Sequence, residues 1–211
     1  MRYKAAIFDL DGTLVKTERE YYITVMTNVI NDLSLPIVSD AVIDEFWRSM
    51  DKIALAQKYF NVPLETIWDT LRKYEDLDLR KRMTTAYGDV DYLEKLKNSG
   101  MMVGMVTGAS ERIANFEISL LPVTFDTVIL ARPTYGVKMK PDPEGLHIAL
   151  KNLGVLIDEA FYVGNATEDI LAAKAAGILD IAIDRGTEKV EAEPTKWINS
   201  LYDLEGIILT T

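Results

Sequence analysis

The chain has 211 residues, 48% of them hydrophobic and 27% charged, which allows one sizeable core or a core plus a small second domain. Its formal net charge of −10 disfavours nucleic acid and anionic membranes as partners. The absence of cysteine excludes disulfides and thiolate chemistry, and the single His147 excludes a histidine-rich metal site. We expect a cytoplasmic protein, because no signal-peptide core follows Met1 and no apolar run approaches the ~20 residues that span a bilayer.

The first predicted element is a short buried strand from Ala5 to Phe8, directly followed by two acidic residues, Asp9 and Asp11. Unpaired buried charge is costly, so something must compensate these carboxylates, and a divalent cation is the obvious candidate. Side chains two residues apart at a strand end point the same way and could face one small volume. Gly12 permits a positive φ, which lets the chain turn away and leave that volume open. The alternative is an acidic turn that simply closes a strand.

Residues 17–80 carry apolar side chains at helical spacing in three successive segments. Pro36 and Ser39 separate the first two segments, and Ser39 is a suitable helix N-cap. Pro63 suits the first turn of the third. Each segment has one apolar stripe and one charged face, so they should pack on each other. We predict an all-helical insert of three or four helices, which forms a separate domain over residues 16–81.

After Tyr87 the pattern alternates between helices and strands, which is typical of an α/β fold with a parallel sheet and helices on both faces. The interpretation is a Rossmann-like, three-layer core built from residues 1–15 and 82–211. In such folds the functional site lies at the carboxyl ends of the strands, and the connections near 15–17 and 81–88 should be hinges beside it. The predicted strands are 101–106, 125–130, 161–163 and 178–183, and the predicted helices are 90–98, 110–120, 144–153 and 168–176.

The strand at 101–106 ends in Thr107-Gly108-Ala109-Ser110. Thr107 offers a hydroxyl there, and the backbone amides that open the following helix are suited to bind phosphate. The alternative is that Ser110 only caps the helix and Thr107 only ends the strand.

A lysine, Lys140, stands immediately before Pro141-Asp142-Pro143. Asp142 as N-cap and Pro143 in the first turn account for the start of a helix. Lys140 is needed for neither, and the alternative for it is a solvated loop lysine.

The last polar stretch, Gly164 to Asp169, follows the strand at 161–163 and contains Asn165 and Glu168. Asn165 as N-cap with Glu168 three residues later would form a capping box. The same residues lie at the rim of the expected site, so structural and functional roles can coexist.

Taken in order, these four stretches resemble the four motifs of the haloacid dehalogenase-like hydrolase superfamily, most of whose members are phosphatases. The helical insert resembles the family's small cap domain, which follows the first motif. The resemblance implies that Asp9 is a nucleophile that forms an aspartyl-phosphate and that Asp11 is the general acid and base. It also implies that Thr107, the Gly108 amide and Lys140 hold the phosphoryl group.

The resemblance further implies a Mg²⁺ ion held by Asp9, the backbone carbonyl of Asp11, Asn165 and Asp169. The sequence departs from the family at Asn165, where an acid is usual. An amide oxygen can still bind Mg²⁺, but one negative charge is lost. We therefore expect weaker metal binding, or a metal held through Asp169 and water, and Glu168 could also move in.

The implied function is Mg²⁺-dependent hydrolysis of a small phosphorylated metabolite by a monomer or homodimer that binds neither nucleic acid nor membranes. The presence of Asp11 argues against carbon–halogen cleavage, because haloacid dehalogenases of this superfamily lack that acid. A phosphomutase would use the same aspartyl-phosphate, and a phosphonatase would need a cap lysine, for which Lys52 is the only nominee. A non-catalytic protein that binds a phosphorylated ligand is the remaining alternative, and Asn165 motivates it. For His147 we expect a packing or surface role.

Overall fold

The computed structural model describes residues 3–187 and 189–209, so the expectation about the chain start at Met1 lies outside the described residues. The chain divides into two compact units. The α/β unit consists of Met1–Lys16 and Thr85–Thr211, and the helical unit consists of Thr17–Thr84. Among the described residues, no helix combines the length and the apolar character that a membrane crossing requires.

The strands, in chain order, are β1 (Ala5–Phe8), β2 (Val15–Thr17), β3 (Thr84–Ala86), β4 (Met102–Thr107), β5 (Thr127–Leu130), β6 (Ala160–Gly164), β7 (Leu179–Ile183) and β8 (Lys196–Ile198). The helices of the α/β unit are α6 (Tyr92–Asn98), α7 (Glu111–Ile118), α8 (Glu144–Leu153), α9 (Thr167–Ala176) and α10 (Leu204–Leu209). Those of the helical unit are α1 (Arg19–Asp32), α2 (Asp40–Arg48), α3 (Lys52–Leu55), α4 (Leu64–Tyr74) and α5 (Leu77–Met83).

Six strands form one parallel sheet in the order β5-β4-β1-β6-β7-β8, with β1 between β4 and β6. Successive residues of β1 face opposite layers, because side chains alternate along a strand. Ala6 and Phe8 belong to the core that includes residues of α6, α7 and α10, whereas Ala5 and Ile7 belong to the core that includes residues of α8 and α9. Full burial of a side chain the size of Phe8 or Ile7 contributes about 1.5–3 kcal/mol. The predicted three-layer α/β fold is confirmed.

The central position of β1 determines which residues surround its carboxyl end. The ends of β4 and β6 flank it, and the Asp9 N–H donates a hydrogen bond of 2.9 Å to the Val163 carbonyl of β6. Residues that follow β1, β4 and β6 therefore meet at one edge of the sheet.

The helical unit has its own core, built from residues such as Met26, Phe46, Phe60 and Ile67. It contains five helices instead of the predicted three or four, because α5 was not recognised and the second segment is broken. That break falls at Ser49, where the backbone becomes extended, and α3 then continues as a π-helical turn to Phe60.

Other sequence predictions were wrong in detail. Strand β8 and helix α10 were not predicted, and several strand ends differ by one or two residues. Helix α4 begins one residue later than expected, with Pro63 at the N-cap. Helix α8 has the predicted bounds, but Pro143 and not Asp142 is its N-cap. The two connections predicted to be hinges, near 15–17 and 81–88, contain the short strands β2 and β3. These two strands pair with each other.

Candidate active site

A tight turn follows β1 and carries the first polar residues of the site. The Leu10 carbonyl accepts hydrogen bonds from the N–H groups of Thr13, Leu14 and Val15 at 2.9–3.2 Å. Gly12 has a φ of +78°, and a Cβ at this position would lie 2.4 Å from the Asn165 side-chain nitrogen. Glycine is therefore required both by the turn and by the close approach of Asn165.

Asp9 is buried at the end of β1, with 6% of its surface exposed. Its Oδ1 accepts a hydrogen bond of 2.6 Å from Lys140 Nζ, and its Oδ2 lies 3.2 Å from the Thr13 hydroxyl. Burial raises the pKa of Asp9 to about 7, although the nearby Lys140 charge acts in the opposite direction. Asp9 is thus a carboxylate held in place by Lys140 and Thr13, with burial opposing its ionisation and the Lys140 charge favouring it.

Lys140 is held between two carboxylates and a phenol. Its Nζ lies 2.5 Å from Asp169 Oδ1 and 3.1 Å from the Tyr162 hydroxyl, in addition to its contact with Asp9. Burial alone would lower the pKa of Lys140, but the charges of Asp169 and Asp9 hold it well above its usual value. Lys140 is therefore a permanent cation in a buried site, and the alternative of a solvated loop lysine is excluded.

The placement of Asp169 depends on Gly164. A Cβ at Gly164 would lie 2.4 Å from both Cβ and Cγ of Asp169, so only glycine leaves room for this carboxylate. Asp169 Oδ2 accepts a hydrogen bond of 3.0 Å from the Ala166 N–H. Both oxygens of Asp169 are therefore occupied, one by Lys140 and the other by the start of α9.

This arrangement corrects the predicted capping box. Helix α9 begins at Thr167 with Ala166 as its N-cap, and Asp169 fills the role predicted for Glu168. Asn165 lies one residue before the cap and is buried. Its side-chain oxygen accepts a hydrogen bond of 3.0 Å from the Thr13 hydroxyl instead of closing the helix end.

Thr13 links the two halves of this edge of the sheet. Its hydroxyl faces Asp9 Oδ2 and Asn165 Oδ1 at once, but it has only one proton to donate. At any moment the Thr13 hydroxyl can therefore donate to only one of these two oxygens, although it lies close to both.

The remaining predicted residues also lie at this edge. Thr107 is the buried last residue of β4, and its hydroxyl accepts a hydrogen bond of 3.1 Å from the Ala109 N–H. A Cβ at Gly108 would meet no atom within 4 Å, so the chain there borders open space. Asp11 lies in the turn after β1, half-buried, where it forms a bridge with Val15.

The donor set can be tested against Mg²⁺. Among the residues described, no group of three or more histidine, cysteine or acidic side chains is gathered to hold a metal ion. Mg²⁺ needs only one or two carboxylates and keeps several waters. The carboxylate of Asp9 and the amide oxygen of Asn165 converge on Thr13 and are oxygen ligands of the kind it prefers. The residues present fit Mg²⁺, with one negative charge fewer than a site in which residue 165 is acidic.

Sequence reasoning did not assign roles to three residues that contact this group: Thr13, Tyr162 and Arg185. Tyr162 had a detectable signal, since it lies two residues before Gly164 on a strand and so shares its face. Arg185 follows β7 in an irregular segment, with no pattern that points to the site. Of the residues left open, His147 is exposed, and Lys52 donates a hydrogen bond of 2.6 Å to the Ser49 carbonyl.

Comparison with known proteins gives the class. The family model described as "Haloacid dehalogenase-like hydrolase" matches residues 6–183. A Clostridium perfringens protein named "Putative pyrophosphatase PpaX" is 33% identical over 82% of this chain and 80% of its own. The phosphoglycolate phosphatase of Xanthomonas campestris pv. campestris is 29% identical over 93% of this chain and 90% of its own.

A crystal structure from Bacteroides fragilis, described as a "Putative haloacid dehalogenase-like hydrolase", superimposes with a TM-score of 0.79. It covers 96% of this chain and 99% of the other at 23% identity, which is a likeness of fold. The chain belongs to the haloacid dehalogenase-like hydrolase family. The resemblance inferred from the four motifs is confirmed, and the enzyme is a hydrolase.

Proposed function

We propose that the protein is a Mg²⁺-dependent phosphomonoester phosphatase that works through an aspartyl-phosphate on Asp9. The observation that carries the proposal is the setting of Asp9 at the end of β1, fixed by Lys140 on one oxygen and by Thr13 on the other. The names of the relatives, a pyrophosphatase and a phosphoglycolate phosphatase, support phosphate chemistry and disagree on the substrate. The phosphorylated metabolite is therefore left open.

In the first half of the reaction, Asp9 attacks phosphorus and the bond from phosphorus to the ester oxygen breaks. Asp11 gives a proton to the leaving alcohol. Thr107, the Gly108 amide and Lys140 hold the phosphoryl oxygens, on which negative charge must be stabilised. Lys140 serves here as a fixed positive charge, because its partners keep it protonated.

In the second half, Asp11 accepts a proton from water as that water attacks the phosphorus of the aspartyl-phosphate. The bond from phosphorus to Asp9 breaks, and phosphate and the free carboxylate are released. Asp9, Asn165 and the Asp11 carbonyl would hold Mg²⁺, and Asp169 would contribute through the position of Lys140 or through water. When bound, the ion supplies positive charge that offsets the repulsion between Asp9 and an anionic substrate.

We also propose that the helical unit, Thr17–Thr84, acts as a cap that excludes water and selects the substrate. Its cluster of aromatic residues, Tyr22, Phe46, Trp47 and Trp68, packs internally with ring centroids 5.2–6.2 Å apart. These rings therefore support the unit's own core and do not form a surface on which the base of a nucleotide would stack.

A second function, binding of a phosphorylated ligand without turnover, is favoured by one observation. Asn165 is neutral where a negative charge would strengthen Mg²⁺ binding. If this function holds, a phosphorylated ligand binds and is recovered intact at saturating Mg²⁺.

Phosphate release from a panel of small phosphomonoesters, with and without Mg²⁺, separates the two functions. We expect Mg²⁺-dependent release by the wild type and none by Asp9→Asn. No release from any member of the panel at saturating Mg²⁺ would contradict the phosphatase proposal. Sugar phosphate isomerisation without net release would indicate a phosphomutase instead.

A further inference from the structure

Arg185 connects the segment after β7 to the turn that carries the first motif. Its side chain is buried, with 7% of its surface exposed. Its Nε and one terminal nitrogen donate hydrogen bonds of 3.1 and 2.8 Å to the backbone carbonyl of Thr13. A guanidinium thus holds the peptide carbonyl of the residue whose hydroxyl faces Asp9.

The guanidinium is itself fixed on its other sides. Both terminal nitrogens bond the Asp89 carboxylate, at 2.8 and 3.0 Å. Asp89 also accepts hydrogen bonds from the Ser200 hydroxyl at 2.9 Å and the Leu201 N–H at 2.8 Å. The Tyr87 ring lies under the guanidinium, with its centroid 4.0 Å away. These contacts give the arginine a single orientation.

The consequence follows from the connectivity. The Thr13 N–H is bonded to the Leu10 carbonyl, while the Thr13 carbonyl is bonded to Arg185. With both of these backbone groups tied, the Thr13 side chain has a defined origin from which to reach Asp9 and Asn165. A shift of this peptide would move the hydroxyl away from both oxygens.

We propose that Arg185 is a positioning residue for the reaction, which acts through Thr13 on the nucleophile Asp9 and on Asn165. The inference rests on the proposed phosphatase function. It explains why this site uses an arginine: the planar fork donates to a carboxylate and to a carbonyl simultaneously. A lysine could keep the ion pair with Asp89 but could not reproduce these four bonds.

An alternative is that the Arg185–Asp89 pair only stabilises the fold. Stability alone does not separate the two roles, because removal of either partner from a buried pair is destabilising in any case. The groups proposed to hold the phosphoryl oxygens lie elsewhere in the chain, Thr107 and Gly108 at the end of β4 and Lys140 shortly before α8. Arg185 instead contacts the Thr13 carbonyl, Asp89 and the Tyr87 ring. A positioning role therefore lowers kcat and leaves KM little changed, which a purely structural role does not do.

The test compares Arg185→Lys, Arg185→Met and Asp89→Asn with a matched control, Lys97→Met. Lys97 also joins a carboxylate, Asp126 at 2.9 Å, to a backbone carbonyl, that of Thr124 at 3.1 Å, near the start of β4. Each variant is assayed for kcat, KM and Tm on a substrate that the wild type hydrolyses, well below its own Tm. If Arg185→Met fails to fold, Arg185→Lys and Asp89→Asn carry the test.

We expect kcat to fall about 10- to 100-fold in Arg185→Lys with KM nearly unchanged, because small displacements near a reacting group are costly. Lys97→Met should lower Tm and leave kcat at the wild-type value. Wild-type kcat in both Arg185→Lys and Asp89→Asn, whatever their Tm, would overturn the inference. Failure of the wild type to release phosphate would contradict the proposed function instead, so the two failures are distinguishable.

Discussion

The two oxygens of Asp9 face different environments. On the lysine side, formed by Lys140, Tyr162 and Asp169, Oδ1 meets a buried cation that has a second carboxylate as its partner. On the threonine side, formed by Thr13 and Asn165, Oδ2 lies beside the neutral Thr13 hydroxyl, which also faces the Asn165 amide oxygen. Arg185 bonds the backbone carbonyl of Thr13.

The difference shows how one carboxylate can be prepared for two tasks. The lysine side supplies the protein's own positive charge, and removal of Lys140 would leave two buried carboxylates without their shared counter-charge. The threonine side supplies oxygen ligands and no lysine, and it is the side proposed to hold Mg²⁺. Four changes to these sides test the contrast.

The largest effect should come from Lys140→Met, which removes the cation of the lysine side. Asp9 and Asp169 would then be buried carboxylates without a counter-charge, a loss of about 3–5 kcal/mol in unfolding free energy. We expect kcat to fall about 10³-fold, because a proposed ligand of the phosphoryl oxygens is lost as well. Urea unfolding and phosphate release measure the two effects.

The control for this change is Lys138→Met. Lys138 lies two residues away and pairs with Asp142 at 3.1 Å, but it is exposed. It should leave kcat unchanged, and equal losses in the two variants would show that the lysine side has no special role.

A smaller effect is expected from Gly164→Ala, which removes no charged group but displaces Asp169. The new Cβ would lie 2.4 Å from Asp169 Cγ, so the carboxylate must shift from the position in which it bonds Lys140. We expect a loss of about 1–3 kcal/mol in stability and of about 10- to 100-fold in kcat. Gly206→Ala is the control, since a Cβ there meets nothing within 4 Å. Wild-type kcat in Gly164→Ala would show that the exact placement of Asp169 is unimportant.

On the threonine side, Asn165→Asp adds a charge where the protein has none. Without Mg²⁺ the new carboxylate should lower Tm, because it lies across the Thr13 hydroxyl from Asp9. With Mg²⁺ we expect half-saturation of activity and of the Tm increase at about tenfold lower concentration. Asn152→Asp controls for the added charge, since Asn152 lies in α8 and bonds Thr127 at the start of β5, not at a strand end that carries the site. Identical Mg²⁺ dependence in wild type and Asn165→Asp would place the metal elsewhere.

The smallest effect concerns the Arg185–Asp89 pair, which holds the Thr13 carbonyl, and the pH dependence of its contribution to stability. Burial alone would raise the pKa of Asp89, but hydrogen bonds from Arg185, Leu201 and Ser200 outweigh it and lower the pKa. A lowered pKa means that the ionised group stabilises the fold above about pH 4 and loses this contribution as the pH falls through its folded value. The Tm of the wild type should therefore exceed that of Asp89→Asn at neutral pH. The gap should narrow in acid, and a gap that widens toward acid would contradict this reading.

Much of the α/β unit was predictable because strand and helix periods alternate clearly from Tyr87 onward. β8 was not, because the segment Lys196–Ile198 has only three residues and one of them is buried. In the helical unit, α5 was missed because its sequence Leu-Asp-Leu-Arg-Lys-Arg-Met carries little apolar periodicity. Short elements of this kind depend on their neighbours more than on their own pattern.

In the site, the sequence predicted the residues that lie at strand ends, since parallel strands bring those ends together. It did not predict which oxygen faces which partner. The exchange of Glu168 for Asp169 in the capping box depends on a one-residue shift of a helix start, which sequence signals do not resolve. Arg185 and Asp89 lie 96 residues apart, and each side chain alone resembles an ordinary surface charge.

The most direct test of the account is mass spectrometry of the enzyme quenched in acid during turnover of a phosphomonoester. The account predicts one added phosphoryl group on the peptide that contains Asp9, formed by the wild type and absent from Asp9→Asn. A phosphoryl group on a different residue, or turnover that Asp9→Asn leaves undiminished, would contradict it.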